Sequence, residues 1–161
     1  MTWALSLWAG LAVLGFAMVF SVPRRTLPGI VALAIVAHLV RTAVLELGAP
    51  LPTASFVAAI LVGLTAALIA PRTNQATPIY AFAPVIPLIP GTYMFDALTG
   101  LLALTSSNEV DSAGIVDAAI VNGSIATLTI VALAVGTISP TLIVGRHLAR
   151  LVRAGPSEAA Q

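Results

Sequence analysis

The chain has 161 residues, of which 59% are hydrophobic and only 8% are charged, and its formal net charge is +1. Soluble domains carry about 25% charged residues, so this composition excludes an ordinary soluble domain and indicates an integral membrane protein. The sequence contains no cysteine, which excludes disulfides and thiolate metal sites. The small net charge carries no sign of a nucleic-acid partner.

Five apolar stretches follow one another along the chain, and each approaches or exceeds the roughly 20 residues that a bilayer requires. They run from Trp3 to Phe20, Leu27 to Leu47, Thr53 to Ala70, Ile79 to Leu104 and Gly114 to about Val144. Backbone groups in lipid must bond within their own segment, so we expect an all-α protein with five transmembrane helices. We expect residues 1–153 to form a single transmembrane domain and residues 154–161 to form a mobile polar tail.

The loops that bear arginine alternate with loops that lack basic residues. The first loop, the third loop and the C-terminal region carry the arginines, namely Arg24, Arg25, Arg72, Arg146, Arg150 and Arg153. The second loop has no basic residue, and the fourth holds Glu109 and Asp111 instead. The positive-inside rule therefore predicts an N-terminus outside and a C-terminus inside.

A unit with an odd number of membrane helices has its two ends on opposite sides of the membrane. A similar five-helix unit placed before this one would cross the membrane in the opposite direction. Such inverted pairs are a recurring transporter design with the substrate site at their interface. The pattern predicts one half of such a transporter.

The fourth stretch contains a sequence that should interrupt its helix, PVIPLIPGTYMFDALTG over residues 84–100. Prolines remove backbone donors and obstruct the preceding turn, so we expect a break from about Pro87 to Gly91, near the middle of the span. Gly91 is expected to let the chain turn. Thr92 is expected to cap the second half-helix, whose free N–H groups would attract a substrate carboxylate. The predicted substrate-binding residues are Pro87, Pro90, Gly91, Thr92, Tyr93 and Asp96. The alternative is a kinked structural helix without a ligand.

Two side chains of the second half-helix have roles that the sequence leaves open. Charged groups inside a bilayer are costly and usually face a cavity or a partner. Asp96 therefore either receives a substrate ammonium, carries a proton, pairs with a buried arginine, or lies close to the outer surface. Tyr93 is either a hydroxyl donor in the site or a packing residue.

Three further polar residues are candidates for a coupling or polar pathway. His38 and Arg41 share a face of the second helix; His38 either titrates during transport or stays neutral on a neighbouring carbonyl, and Arg41 is expected to reach toward the outer end. Asn122 either bonds across a helix interface or contacts substrate. His38 and His147 lie on distant segments, so we expect no metal site and no cofactor.

The third stretch carries a stripe of small residues at a spacing of four. Its members are Ser55, Ala59, Gly63 and Ala67. Small residues let membrane helices approach closely, so the stripe predicts a tight helix–helix contact.

The run PVIPLIPGTYMF at residues 84–95 resembles the threonine/serine exporter family, specifically its small five-helix membrane half, which is either encoded separately or fused behind a larger half. The arrangement from Val22 to Arg153 agrees with this resemblance. The resemblance implies a larger membrane partner with a cytoplasmic portion. It also implies export of threonine and serine, as in fused members, or of dicarboxylates such as succinate, as in split members. Asp96 lies outside the family's pattern.

The sequence therefore predicts half of a secondary exporter of small carboxylate-bearing metabolites, in the inner or plasma membrane of a prokaryote. The alternative is a pore-forming or structural membrane subunit without its own transport site, and a homo-oligomer is a further form of assembly. An enzyme is not expected, because the sequence shows no nucleophile–base spacing and no metal motif.

Overall fold

The computed structural model describes residues 2–19, 22–73, 76–105 and 112–153. This part of the chain is helical throughout and contains no strand, so the expected all-α class is confirmed. The described residues form six helices and one short 3-10 turn: α1 (Thr2–Val19), α2 (Leu27–Glu46), α3 (Leu51–Thr73), α4 (Thr77–Val85), the 3-10 turn (Ile86–Leu88), α5 (Gly91–Leu104) and α6 (Ser112–Arg153).

Within the described residues, three helices are long and apolar enough to cross a membrane. These are α2, α3 and the part of α6 from Ala113 to Val144. The segment from α4 through α5 adds a fourth if its two halves form one span, whereas the apolar part of α1, Trp8–Val19, is shorter. The predicted count of five spans and the predicted orientation therefore remain predictions.

The last helix is longer than the hydropathy of the sequence predicted. The apolar stretch ends at about Val144, but α6 continues to Arg153 and is 42 residues long. At 1.5 Å per residue it measures about 63 Å, roughly twice the hydrocarbon thickness of a bilayer. Pro140 lies inside this helix without ending it. The acidic fourth loop with Glu109 and Asp111, and the tail 154–161, lie outside the described residues.

Small residues bring α3 and α6 into close contact. Ser55, Ala59, Gly63 and Ala67 are all buried, and an added Cβ at Gly136 of α6 would lie 2.8 Å from the Cβ of Ala59. The backbones of the two helices therefore touch, which is the arrangement that small residues permit in membrane proteins. This is the most extensive helix–helix contact in the described part of the chain.

The two halves of the fourth apolar segment pack against different neighbours. The first half, α4, packs mainly on α2 and α3, while α5 packs mainly on α6. Small residues again mediate the second contact, because an added Cβ at Gly100 would lie 3.0 Å from Ala119 and one at Gly123 would lie 3.7 Å from Ala97. The interruption between α4 and α5 is therefore the place where two groups of helices meet.

Candidate functional site

The fourth apolar segment is broken at Ile89 and Pro90. After the 3-10 turn, Ile89 is extended with φ −63° and ψ 130°, and Pro90 has φ −81° and ψ 64°. The Gly91 N–H donates to the Ile89 carbonyl at 2.9 Å. These values define an inverse γ-turn centred on Pro90. The predicted interruption of this helix is present, at the residues where it was expected.

The bend at the break is moderate. The axes of the two halves differ by 56°. A re-entrant loop returns to the side of the membrane from which it entered, so it requires a bend much closer to a reversal. The angle favours a single broken span over a re-entrant loop.

Two roles that the sequence suggested at the break are wrong. Thr92 does not cap α5: Pro90 occupies the cap position, no side chain bonds there, and Thr92 lies inside the helix with an exposed side chain. Gly91 does not supply the turn, because the described glycine with positive φ is Gly48 and a Cβ at Gly91 would meet nothing within 4 Å. The fixed φ of Pro90 and the extended Ile89 redirect the chain instead.

The first turn of α5 presents backbone donors at the break. The Met94 N–H donates to the Pro90 carbonyl at 3.1 Å, and the Gly91 N–H is used in the γ-turn. The N–H groups of Thr92 and Tyr93 have no acceptor inside their own helix, as is normal for a first turn. The positive end of the helix dipole lies at the same place, so this end of α5 favours an anionic group.

Arg41 of α2 lies on the other side of the break. Its Nη1 donates to the carbonyl oxygen of Leu88 at 2.8 Å. The expectation that Arg41 reaches toward the outer end is therefore wrong. The physical reason is that the γ-turn at Pro90 carries Thr92 away from Leu88, so the Leu88 carbonyl loses the N–H that a continuous helix would provide.

The hydrogen bond offsets much of the cost of placing Arg41 in an apolar helix. Insertion of an arginine at a membrane-helix centre costs about 2.5–3.5 kcal/mol on insertion scales, and a hydrogen bond from a charged group contributes about 1.5–3 kcal/mol. Tyr93 lies close enough to Arg41 to interact with it electrostatically, and so does His38. The structure thus places the Arg41 guanidinium on the Leu88 carbonyl at the break.

Asp96 and Asn122 occupy other surfaces. Asp96 is exposed on α5, and Asn122 is half-buried on α6 beside Gly123. The side chains of Thr92, Asp96 and Thr99 are all exposed and lie at positions i, i+4 and i+7, so they share one polar face of α5. Thr99 is not among the predicted site residues, although its spacing of three from Asp96 is a signal that the sequence carries.

An apolar cavity of about 680 Å³ lies between α4 and α6, beside the break. Residues from α4, the break and α6 line it, among them Phe82, Val85, Ile89, Met94 and Leu133. The hydroxyls of Thr137 and Thr141, which also line it, donate to carbonyls of their own helix. These two hydroxyls are therefore already engaged, and Arg41, Thr92 and Tyr93 are not among the residues that line the cavity.

Metal-ion chemistry finds no support in the described part of the chain. No group of three or more histidine, aspartate or glutamate residues is placed there to hold a metal ion.

Comparison with known proteins links this architecture to a transport family. The family model described as "Threonine/Serine exporter, ThrE" matches residues 5–143. An uncharacterized protein of Haemophilus influenzae is 30% identical over 98 residues, which cover 61% of this chain and 33% of that protein. The chain thus spans about a third of the length of this curated relative. No solved structure matches the chain.

Proposed function

The chain belongs to the threonine/serine exporter family, and from this premise we propose that it is one half of a secondary exporter of small carboxylate-bearing metabolites. The substrates are amino acids of the threonine and serine type, or dicarboxylates such as succinate. Family membership supports the transporter role, and the candidate membrane helices fit a bilayer protein. The location we propose is the inner or plasma membrane of a prokaryote.

The observation that carries the proposal is the broken helix with unbonded donors at its second half. In our proposal the substrate carboxylate binds the N–H groups of Thr92 and Tyr93, where the helix dipole favours negative charge. Broken helices that present half-helix N-termini to anionic groups are a recurring feature of secondary transporters. The Tyr93 hydroxyl supplies a further donor, and Pro87, Pro90 and Gly91 shape the bend.

The polar face of α5 extends this site along the proposed pathway. Thr92, Asp96 and Thr99 are exposed in the isolated chain, and a charged group that faces lipid is costly. We infer that a larger membrane subunit, or a second copy of this chain, covers this face. Asp96 then receives the ammonium group of an amino-acid substrate. The match covers only 33% of the Haemophilus influenzae protein, which supports a transport system that contains further polypeptide.

The experiment is co-purification of the chain from its native membrane, followed by efflux assays. We expect a second membrane protein to co-purify, and we expect deletion of the chain to abolish efflux of labelled threonine, serine or succinate. Unchanged efflux of all three substrates in the deletion strain would contradict the proposal. It would favour the alternative, a structural membrane subunit.

A further inference from the structure

Leu88, the last residue of the 3-10 turn, is held in two ways. Its side chain is 0% exposed and packs in a buried cluster with residues of α2, α3 and α6, including Ala37, Val62 and Leu133. Its carbonyl oxygen accepts the hydrogen bond from Arg41. The end of the first half-helix is therefore fixed both by apolar packing and by a charged donor.

The chain itself satisfies two other carbonyls of this stretch. The Ala83 carbonyl accepts the N–H of Ile86, and the Ile86 carbonyl accepts the N–H of Ile89 at 3.1 Å. The Leu88 carbonyl differs because the γ-turn at Pro90 removes its backbone donor. Arg41 supplies the missing donor from a residue 47 positions away in sequence.

This hydrogen bond connects the first half-helix to α2, which is not the main packing partner of the second half-helix. Arg41 belongs to α2, which packs on α4, whereas α5 packs mainly on α6. The apolar cavity beside Phe82 and Val85 leaves α4 little direct contact with α6. The first half-helix therefore has space on its α6 side, and Arg41 holds it on its α2 side.

We propose that Arg41 is a positioning residue: by holding the Leu88 carbonyl it fixes the first half-helix relative to α5, and transport requires this arrangement. The inference rests on the proposed transport function for its functional consequence. Its structural part, the control of the break by Arg41, stands on the observed hydrogen bond and can be tested without any substrate.

The structural test measures the distance between the two half-helices. The chain has no native cysteine, so within it spin labels attach only at cysteines introduced at the exposed residues Phe82 and Leu98, and any cysteines of a co-purified partner are first replaced by serine. Double electron–electron resonance is recorded on the chain in its native complex, with Arg41 intact and with Arg41→Met. We expect a narrow distance distribution with Arg41 intact and a shifted, broader one in Arg41→Met.

Three further variants test whether the change in distance comes from the loss of the charged donor at Arg41. Arg41→Lys keeps a charged donor, so it should restore most of the narrow distribution and most of the efflux. Arg41→Gln should behave like Arg41→Met because its side chain is too short to span the same gap, and it replaces Arg41→Met if that variant does not insert. Arg72→Met is the matched control, since Arg72 also donates to a carbonyl, but to Leu68 of its own helix at 3.0 Å; it should leave the distances unchanged.

The outcomes separate this inference from the proposed function. A narrow, unshifted distribution in Arg41→Met and Arg41→Gln would overturn the positioning role, whatever their efflux. A broadened distribution together with unimpaired efflux would overturn the claim that transport requires it. Absence of efflux in the parent protein would refute the transport function, while the distance measurement would still decide whether Arg41 fixes the break.

Discussion

The backbone of Gly63 in α3 lies directly against the carbonyl of Thr137 in α6, so closely that a Cβ added at Gly63 would overlap that oxygen. The approach is possible because the neighbours of Gly63 on the same face, Ala59 and Ala67, are also small and buried. Since α4 packs on α2 and α3 and α5 packs mainly on α6, this contact sets the distance between the helices that hold the two half-helices.

Replacement of Gly63 by leucine should therefore destabilise the protein. Overpacking usually costs about 1–3 kcal/mol, and here the obstacle is a backbone atom that cannot rotate away. We expect Gly63→Leu to lower the thermal unfolding temperature in detergent and to reduce assembly. The control is Gly15→Leu, because a Cβ at Gly15 would meet nothing within 4 Å. Equal unfolding temperatures for the two variants would show that the contact is not needed.

The topology can be tested at the two ends of the broken segment. Arg72 and Thr105 are both exposed and flank α4 and α5. If the segment crosses the membrane once, cysteines introduced at these positions should react with an impermeant reagent from opposite sides, with Arg72→Cys on the cytoplasmic side. Labelling of both positions from the same side would show a re-entrant loop.

The hydroxyl of Ser55 is buried without a hydrogen-bond partner among the described residues. An unsatisfied buried polar group costs about 1–3 kcal/mol, so Ser55→Ala should raise the unfolding temperature. Thr129→Val serves for comparison, because the equally buried Thr129 hydroxyl already donates to the Ile125 carbonyl at 2.7 Å. The idea fails if Ser55→Ala unfolds at a lower temperature than the parent protein.

Asp96 distinguishes the two substrate classes. If its carboxylate receives a substrate ammonium, Asp96→Asn should impair efflux of threonine and serine. The same change should spare or improve efflux of succinate, because an ionised Asp96 would repel a dicarboxylate. Thr127→Val is a useful control, since the exposed Thr127 hydroxyl on α6 already donates to the Gly123 carbonyl. Unchanged efflux of both classes in Asp96→Asn would remove Asp96 from the site.

The position of the break could be predicted from the sequence because proline acts locally. Pro87 and Pro90 remove donors at fixed positions, whatever surrounds them. The details of the turn could not be predicted, since the γ-turn requires particular backbone angles at both Ile89 and Pro90. The preference of threonine for helix N-caps favours Thr92 as the cap of α5, but Pro90 occupies the N-cap position.

The role of Arg41 at the break could not be predicted for a different reason. Its partner is a backbone carbonyl, which has no residue identity, on a segment 47 positions away. The extent of α6 was also underestimated, because hydropathy falls after Val144 while no residue there ends a helix. Hydropathy identifies only the part of a helix that lies in the bilayer, whereas α6 continues beyond that part.

If the break in the fourth apolar segment is the transport site, removal of the break should abolish efflux. The most direct measurement is efflux of labelled threonine, serine and succinate from native-host cells that carry the double variant Pro87→Ala and Pro90→Ala, which restores the missing backbone donors. Pro140→Ala is the control, because Pro140 lies inside the continuous helix α6. At equal amounts of protein in the membrane, we predict that efflux is lost in the double variant and preserved in Pro140→Ala. Efflux at the parent rate in a double variant whose fourth helix is continuous would contradict the account.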